Sequence, residues 1–400
     1  MRKMKIRKEH LFLFLLVNSI TWFSFAWFVI RDYIAETSFY ETLLVSASYY
    51  GAIIAFTVIG ATLLKRELRK KESLLIWVLI GACFCGIFAS LVDERVVLNF
   101  VLMAFILGAS VGVGIPTCLS CFADYTEIEN RGRIGATLFF VIQLLTVLIY
   151  TPISELDIDK KFLILAIWRL TGLVSIFFYK PVGKVSKEEI SYSLSSNHYK
   201  NPFIFYFAPW FLFCLVNFLE APLLLEFFGL ELFNTYMMIE IVIISISAFI
   251  GGMLCDFKGR KNTSILGFIM LGTGYAILSL FSEVEIAQFI YVLTDGIAWG
   301  FLYVAFIFVI WGDLSERSAR EKYYLVGGMP FLLSGLIEVF VQPFVEMIPI
   351  DTSFSFASFF LFAAVLPLMF APETLPEKHI RERELRSYVE KAKKIREKFT

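Results

Sequence analysis

The chain has 400 residues, of which 58% are hydrophobic, 17% aromatic and only 18% charged, and its mean hydropathy is +0.73. A soluble domain carries more charge and less apolar residue, so the composition excludes one and places the chain in lipid. The 36 Lys and Arg balance 36 Asp and Glu, so no net positive charge favours nucleic acid.

The apolar residues come in runs of about twenty, the helical length that crosses a hydrocarbon core of about 30 Å. A β-barrel strand alternates polar and apolar over about ten residues, which the run from Leu11 to Val17 does not do. Taken in chain order, spans are predicted at 10–30, 42–64, 73–92, 97–122, 133–153, 161–180, 203–225, 233–255, 263–282, 286–312, 323–345 and 352–371. The opening MRKMKIRKEH is followed by an apolar stretch too long for a signal peptide and without a clear A-x-A cleavage site, so it reads as a retained first span.

The expected fold is an all-α polytopic membrane protein with about twelve transmembrane helices, arranged as two pseudo-symmetric six-helix bundles. With the N-terminus in the cytoplasm, 31 of the 36 Lys and Arg fall on the cytoplasmic side, against Arg31, Arg95, Lys160 and Lys161 outside and Arg169 within a span. With an even number of spans, this positive-inside bias predicts that both termini are cytoplasmic, and the expected location is the plasma membrane. The expected organisation is an N-terminal bundle over 1–180, a Ser-rich cytoplasmic linker over 181–202, a C-terminal bundle over 203–371 and a charged tail over 372–400. Leu385, Val389, Ala392, Ile395 and Phe399 space the tail as either an amphipathic surface helix or a solvated segment.

The two halves share a pattern. Asp124 at the end of span 4 is followed seven residues later by Arg131, and Asp313 at the end of span 10 is followed seven residues later by Arg320. Arg133 and Lys322 correspond at the same offset. After span 8, GGMLCDFKGRK places Gly252, Asp256, Gly259, Arg260 and Lys261 in the G-x-x-x-D-x-x-G-R-K pattern. That stretch resembles the loop joining helices 8 and 9 of the major facilitator superfamily. The Asp124 to Arg131-Gly132 spacing resembles that family's motif after helix 4, and Pro372-Glu373-Thr374 resembles the PET of its sugar and organic-ion porters. The first-half loop, GATLLKRELRKKE, keeps Gly60 and a basic cluster but lacks the Asp and the G-R-K turn.

The resemblance implies a transporter whose loop contacts close the cytoplasmic gate. Asp256 is expected to meet the N-terminus of span 11, where a carboxylate contributes about 0.3–1 kcal/mol. Asp256 and Arg260, with Asp124, Arg131, Asp313 and Arg320, are then candidate latch residues. The alternative is that the basic residues only anchor the topology.

Charge inside lipid is costly and marks function or pairing. Arg169, Glu220, Glu240, Asp295 and Glu338 are the five such residues. Tyr291, Asp295, Trp299 and Tyr303 recur every four residues, giving one slowly drifting helical face on which aromatic rings flank a carboxylate. Such a face suits a sugar or an organic cation, although an aromatic-rich chain also produces stripes by chance. Asn217 with Glu220 in span 7, and Asn18 with Trp22 in span 1, are expected to converge with it, since the resemblance implies that spans 1, 4, 7 and 10 line the cavity. A carboxylate desolvated without a counterion can carry a proton, and Glu220 and Asp295 lead that reading, unless Arg169 neutralises one of them. Gly108, Gly112 and Gly114 before Pro116, with Gly296 and Gly300, suit either close packing or rocking between halves.

The three histidines, His10, His198 and His379, fall in cytoplasmic segments, and Cys118-x-x-Cys121 has no second pair, so no metal or cofactor is expected. No P-loop is present in the sequence. The reading is a monomeric transporter of a small solute, working by alternating access, with proton coupling, another coupling ion and simple uniport as the open alternatives. A non-transporting receptor or scaffold on the same fold, or a membrane-embedded enzyme, are the alternatives.

Overall fold

The computed structural model describes residues 8–34, 37–64, 70–91, 96–179, 202–341 and 349–376, with Phe344, Met347, Leu385 and Val389. The expected linker and nearly all of the charged tail lie outside these residues. Among the described residues there are no strands. The helices are α1 (Phe14–Ile34), α2 (Phe39–Ile59), α3 (Lys70–Leu91), α4 (Val97–Tyr125), α5 (Arg131–Ile153) and α6 (Ile158–Ile176). The run Pro202–Lys258 is two helices broken at Gly229, whose φ of 71° and ψ of 160° leave the helical region. These are α7 (202–228) and α8 (230–258). They are followed by α9 (Arg260–Leu280), α10 (Glu285–Tyr303), α11 (Arg320–Val341) and α12 (Ile350–Phe370).

Among the described residues, ten stretches are long and apolar enough to cross a bilayer, one of them being the α7–α8 pair. Helix α6 completes the twelve; Asp159, Lys160, Lys161 and Arg169 make it the most charged by composition. Side chains such as Leu98, Leu148, Phe359 and Leu366 are exposed on the outside of the bundle, as lipid-facing residues are.

The two halves pack alike. Helix α2 lies on α4 and α3 on α6 in the first half, as α8 lies on α10 and α9 on α12 in the second. Between the halves, α2 meets α11 and α5 meets α8. Gly108 and Gly112 bring α4 onto the α2 backbone, and Gly296 and Gly300 bring α10 onto α8. These glycine pairs are 188 residues apart, whereas the Asp124/Asp313 and Arg131/Arg320 pairs are 189 apart. The extra residue is absorbed by a π-helical turn, Val304–Val309, which lies between Gly300 and Asp313. Both halves therefore carry one pattern, with a single insertion in α10.

Small residues allow close backbone approach where there is no hydrophobic drive between helices. At the α5–α8 seam Gly132 and Gly252 face each other so closely that a Cβ on either would strike the other's backbone oxygen. The end of the molecule carrying the start of α1, this seam and the end of α12 is called the basal end.

Candidate functional site

Two sets of polar residues stand out, one at the basal end and one within the bundles. At the basal end the paired aspartates are exchanged between halves. Asp313, at the end of the α10 rod, accepts from Arg131 of the first half and from Arg260 Nε at 2.8 Å, and Thr374 Oγ1 lies 3.3 Å away. Asp124, at the end of α4, receives Arg320 Nη1 at 2.5 Å and Arg317 Nε at 3.3 Å from the second half. Arg131 and Arg260 are fully buried and also donate to backbone carbonyls, Arg131 to Ala123 and Arg260 to Cys255 and Ile128. Burial of these guanidinium groups is tolerated because carboxylate and carbonyl oxygens satisfy their donors.

Asp256 requires a correction. Its carboxylate does not meet α11. It accepts Gly132 N at 2.9 Å, Arg133 N at 3.0 Å and Arg133 Nε at 2.9 Å, capping the N-terminus of α5 across the seam. The physical reason is the Gly132–Gly252 contact, which puts the α5 N-terminus directly beside α8. Arg260 lies 3.7 Å from Asp256 and closer to Asp313, so it joins the two carboxylates.

Gly259 joins α8 to α9 in a single residue at φ 102°, a left-handed conformation open to glycine and strained for any residue with a Cβ. A Cβ there would also strike the Glu373 carboxylate. Glu373 accepts Arg260 N at 2.8 Å and Lys261 N at 3.1 Å, capping α9. Burial raises its carboxyl above the ordinary glutamate value, and the N–H groups of Leu375, Arg260 and Lys261 oppose that rise. Lys261 Nζ donates to Met369 O at 2.6 Å.

Among the described residues, the first half shows no carboxylate placed as Asp256 is. Lys70 at the start of α3 instead reaches Glu321 in the first turn of α11 at 3.1 Å, and Asp124 at 3.7 Å. The charge is inverted relative to Asp256 on α5. The missing Asp in the first-half loop hinted at this difference, but its partner was not legible.

Within the bundles the five charged residues separate into three places. Glu220 and Asp295 are 6% and 5% exposed, and Glu240 is half-buried. All three are close enough to Tyr275 of α9 to act on it electrostatically. Tyr291 Oη lies 3.1 Å from Asp295 Oδ2 and 3.3 Å from Tyr275 Oη. Glu220 Oε2 and Asp295 Oδ1 are buried without a hydrogen-bond partner. Three acids thus lie within electrostatic reach of Tyr275, one of them hydrogen-bonded to Tyr291, and no Lys or Arg takes part in the described contacts. Sequence reading found the acids and Tyr291 but missed Tyr275, because its significance depends on α9 packing against α10.

Glu338 lies elsewhere, on α11 beside Tyr50 of α2, whose ring packs on Trp27 at 5.2 Å. The lower half of the α10 stripe leaves the acids too. Trp299 packs on Phe213 at 4.7 Å, and Tyr303 stacks across the seam on Phe139 of α5 at 4.5 Å.

Two further expectations fail. Asn18 and Trp22 do not converge with the acids, and Arg169 neutralises none of them. Arg169 is buried inside the first bundle, donating to Asn18 Oδ1 at 3.3 Å and Ser19 Oγ at 3.0 Å. Its guanidinium lies over Trp77 at 4.0 Å and Trp22 at 4.9 Å. Asn18 is turned inward by its hydrogen bonds to Trp168 O and Thr171 Oγ1. Asn217 Nδ2 donates only to Phe213 O of its own helix among the described contacts. Among the described residues no cluster of His, Cys, Asp and Glu has the form of a metal site, and Cys118 and Cys121 are free thiols.

Comparison with known proteins adds a family and a fold. The family model described as Major Facilitator Superfamily matches residues 11–324. No curated protein matches the sequence. Among solved structures, the chain resembles the proton:xylose symporter XylE bound to 6-bromo-6-deoxy-D-glucose, with TM-score 0.70 and 15% identity over 91% of this chain and 96% of that one. It also resembles the human organic anion transporter MFSD10 (TETRAN), with TM-score 0.64 and 12% identity over 90% of this chain and 98% of that one. At these identities the likeness is one of fold.

Proposed function

Because this chain belongs to the Major Facilitator Superfamily, we propose that it is a proton-coupled carrier that moves a small solute across the plasma membrane by alternating access. The basal end is the cytoplasmic end, as the distribution of Lys and Arg supports, and both termini lie there. The two bundles, 1–180 and 203–371, rock about the α2–α11 and α5–α8 seams, with 181–202 linking them and 372–400 as a cytoplasmic tail. The inter-half hydrogen bonds and ion pairs named above all lie at the basal end, which supports reading this form as a carrier closed to the cytoplasm.

The observation that carries the proton reading is the group of Glu220, Glu240 and Asp295 around Tyr275 and Tyr291. Carboxyl groups at bilayer depth without a cation are costly unless they serve an ion or substrate. A carboxyl that loses a proton on one side and regains it on the other couples the proton gradient to whichever gate is open. Tyr291 steadies one oxygen of Asp295 and leaves the other free to exchange. Glu338 and the half-buried Trp299 and Tyr303 contribute to solute contact, an aromatic and acidic lining that suits sugars, organic ions or drug-like molecules.

The test is purified protein in liposomes loaded with a pH-sensitive dye, offered pooled sugars, organic acids and organic cations. Solute-triggered proton movement lost in Glu220→Gln/Asp295→Asn is the expected result. Proton movement unchanged in that double variant removes these carboxyls from the coupling.

A further inference from the structure

Arg169 differs from the other deeply buried arginines of this protein. Arg131 and Arg260 each meet a carboxylate, whereas the hydrogen bonds of Arg169 go only to the neutral oxygens of Asn18 and Ser19. Its side chain is 0% exposed. Those two bonds use Nη1, and Nε and Nη2 are buried without a partner. Nε–H and Nη2–H are the two parallel donors on one edge of the guanidinium plane, the edge that grips two oxygens of one anion at once.

Ser110 of α4 stands at the same place. Its hydroxyl is buried and, unlike that of Ser19, makes no bond to a carbonyl of its own helix. A Cβ at Gly81 would stand 2.8 Å from Ser110 Oγ and 3.3 Å from Arg169 Nε, so glycine lets the α3 backbone pack against both groups and a side chain there would crowd them. Trp22 and Trp77 cover the faces of the guanidinium, which leaves its edge as the direction of approach. The fold itself does not require a cation in such a space. Between α7 and α9, the counterparts of α1 and α3, the second bundle packs Phe213 against Phe268.

We propose that this cluster of buried, unpartnered donors binds a small monovalent oxyanion of the carboxylate type, held by Arg169 Nε and Nη2 and by Ser110 Oγ. Such an anion neutralises the charge where no protein carboxylate does. The proposal stands independently of solute transport and of its coupling ion.

The experiment follows thermal unfolding of the full-length protein by tryptophan fluorescence while formate replaces chloride at constant ionic strength. The wild type shows a saturable rise in melting temperature. Arg169→Lys keeps a charge but loses the paired donors, and it weakens half-saturation by about tenfold or more. Ser110→Ala and Gly81→Ala keep the guanidinium and also weaken it, which preserves the test if Arg169→Lys does not fold. Acetate and longer monocarboxylates separate the two sources: a rise with formate alone indicates a resident small anion, and a rise with longer chains indicates the carboxylate of a larger solute. No saturable rise with any carboxylate, or the same rise in all three variants, overturns the proposal.

Discussion

Asp256→Asn tests the basal gate most directly, because the hydrogen-bond donors described for it, Gly132 N, Arg133 N and Arg133 Nε, belong to the other half, while Arg260 of its own half lies 3.7 Å away. Hydrogen bonds to a charged group contribute about 1.5–3 kcal/mol each, and Arg133 is 32% exposed, so its side-chain share is the smallest. Asparagine keeps one carbonyl oxygen for one N–H and turns an amide donor toward the rest. The expected loss is about 2–4 kcal/mol of closed-state preference, a shift of about 30-fold to about a thousandfold toward the basal-open state. Cys255 supplies the reporter, being fully buried with its Cβ against Gly132 of α5. In a variant that retains Cys255 alone, alkylation by a water-soluble maleimide follows the open population and accelerates by that factor. Arg133→Gln, which spares the carboxylate, accelerates it less, and Lys322→Gln on α11 leaves it unchanged. An unchanged rate in Asp256→Asn, or an equal effect from Lys322→Gln, would refute the assignment of Asp256 to α5.

Other perturbations have separate readouts. Gly259→Ala combines a positive φ with a collision against Glu373 and costs about 1–3 kcal/mol, seen as a lower melting temperature. Asp313→Asn and Arg131→Gln share one inter-half contact, so their effects on Cys255 alkylation are non-additive, with a coupling of about 1.5–3 kcal/mol in a double-mutant cycle. Lys70→Gln removes a contact whose cation is 29% exposed, and it opens the gate by no more than about 1 kcal/mol by the same assay.

The spans were legible because lipid requires about twenty apolar residues per crossing, and that requirement writes itself into composition. The repeat was legible for a related reason: Asp124/Arg131 and Asp313/Arg320 keep one spacing. What the spacing did not contain was the exchange of partners between halves, since a helix end gives no direction across an interface. Asp256 was assigned to the wrong helix on that account. The acids of α7, α8 and α10 were visible as charges in apolar runs, yet which of them meet was decided by packing. The α10 stripe predicted one face, but Asp295 and Tyr291 turn into the second bundle while Tyr303 turns to α5. Gly259 was readable as part of a motif, and its φ together with the Glu373 carboxylate against it explains why no other residue serves.

The two capping contacts argue that the basal gate is not electrically symmetric. On one side a buried carboxylate, Asp256, receives the positive N-terminus of α5; on the other a partly exposed lysine, Lys70, approaches Glu321 in the first turn of α11. An acid in the first turn favours the N-terminal end of its own helix, so Glu321 offsets the field of α11 from within. The described first-half groups at that end are then Lys70, which meets Glu321, and Asp124, which meets the Arg320 side chain. Buried charge retains its strength while exposed charge is screened. In the proposed carrier, the α5–α8 seam would then hold the more strongly buried charge, and the α2–α11 seam, where Glu338 acts electrostatically on Tyr50, the more screened one.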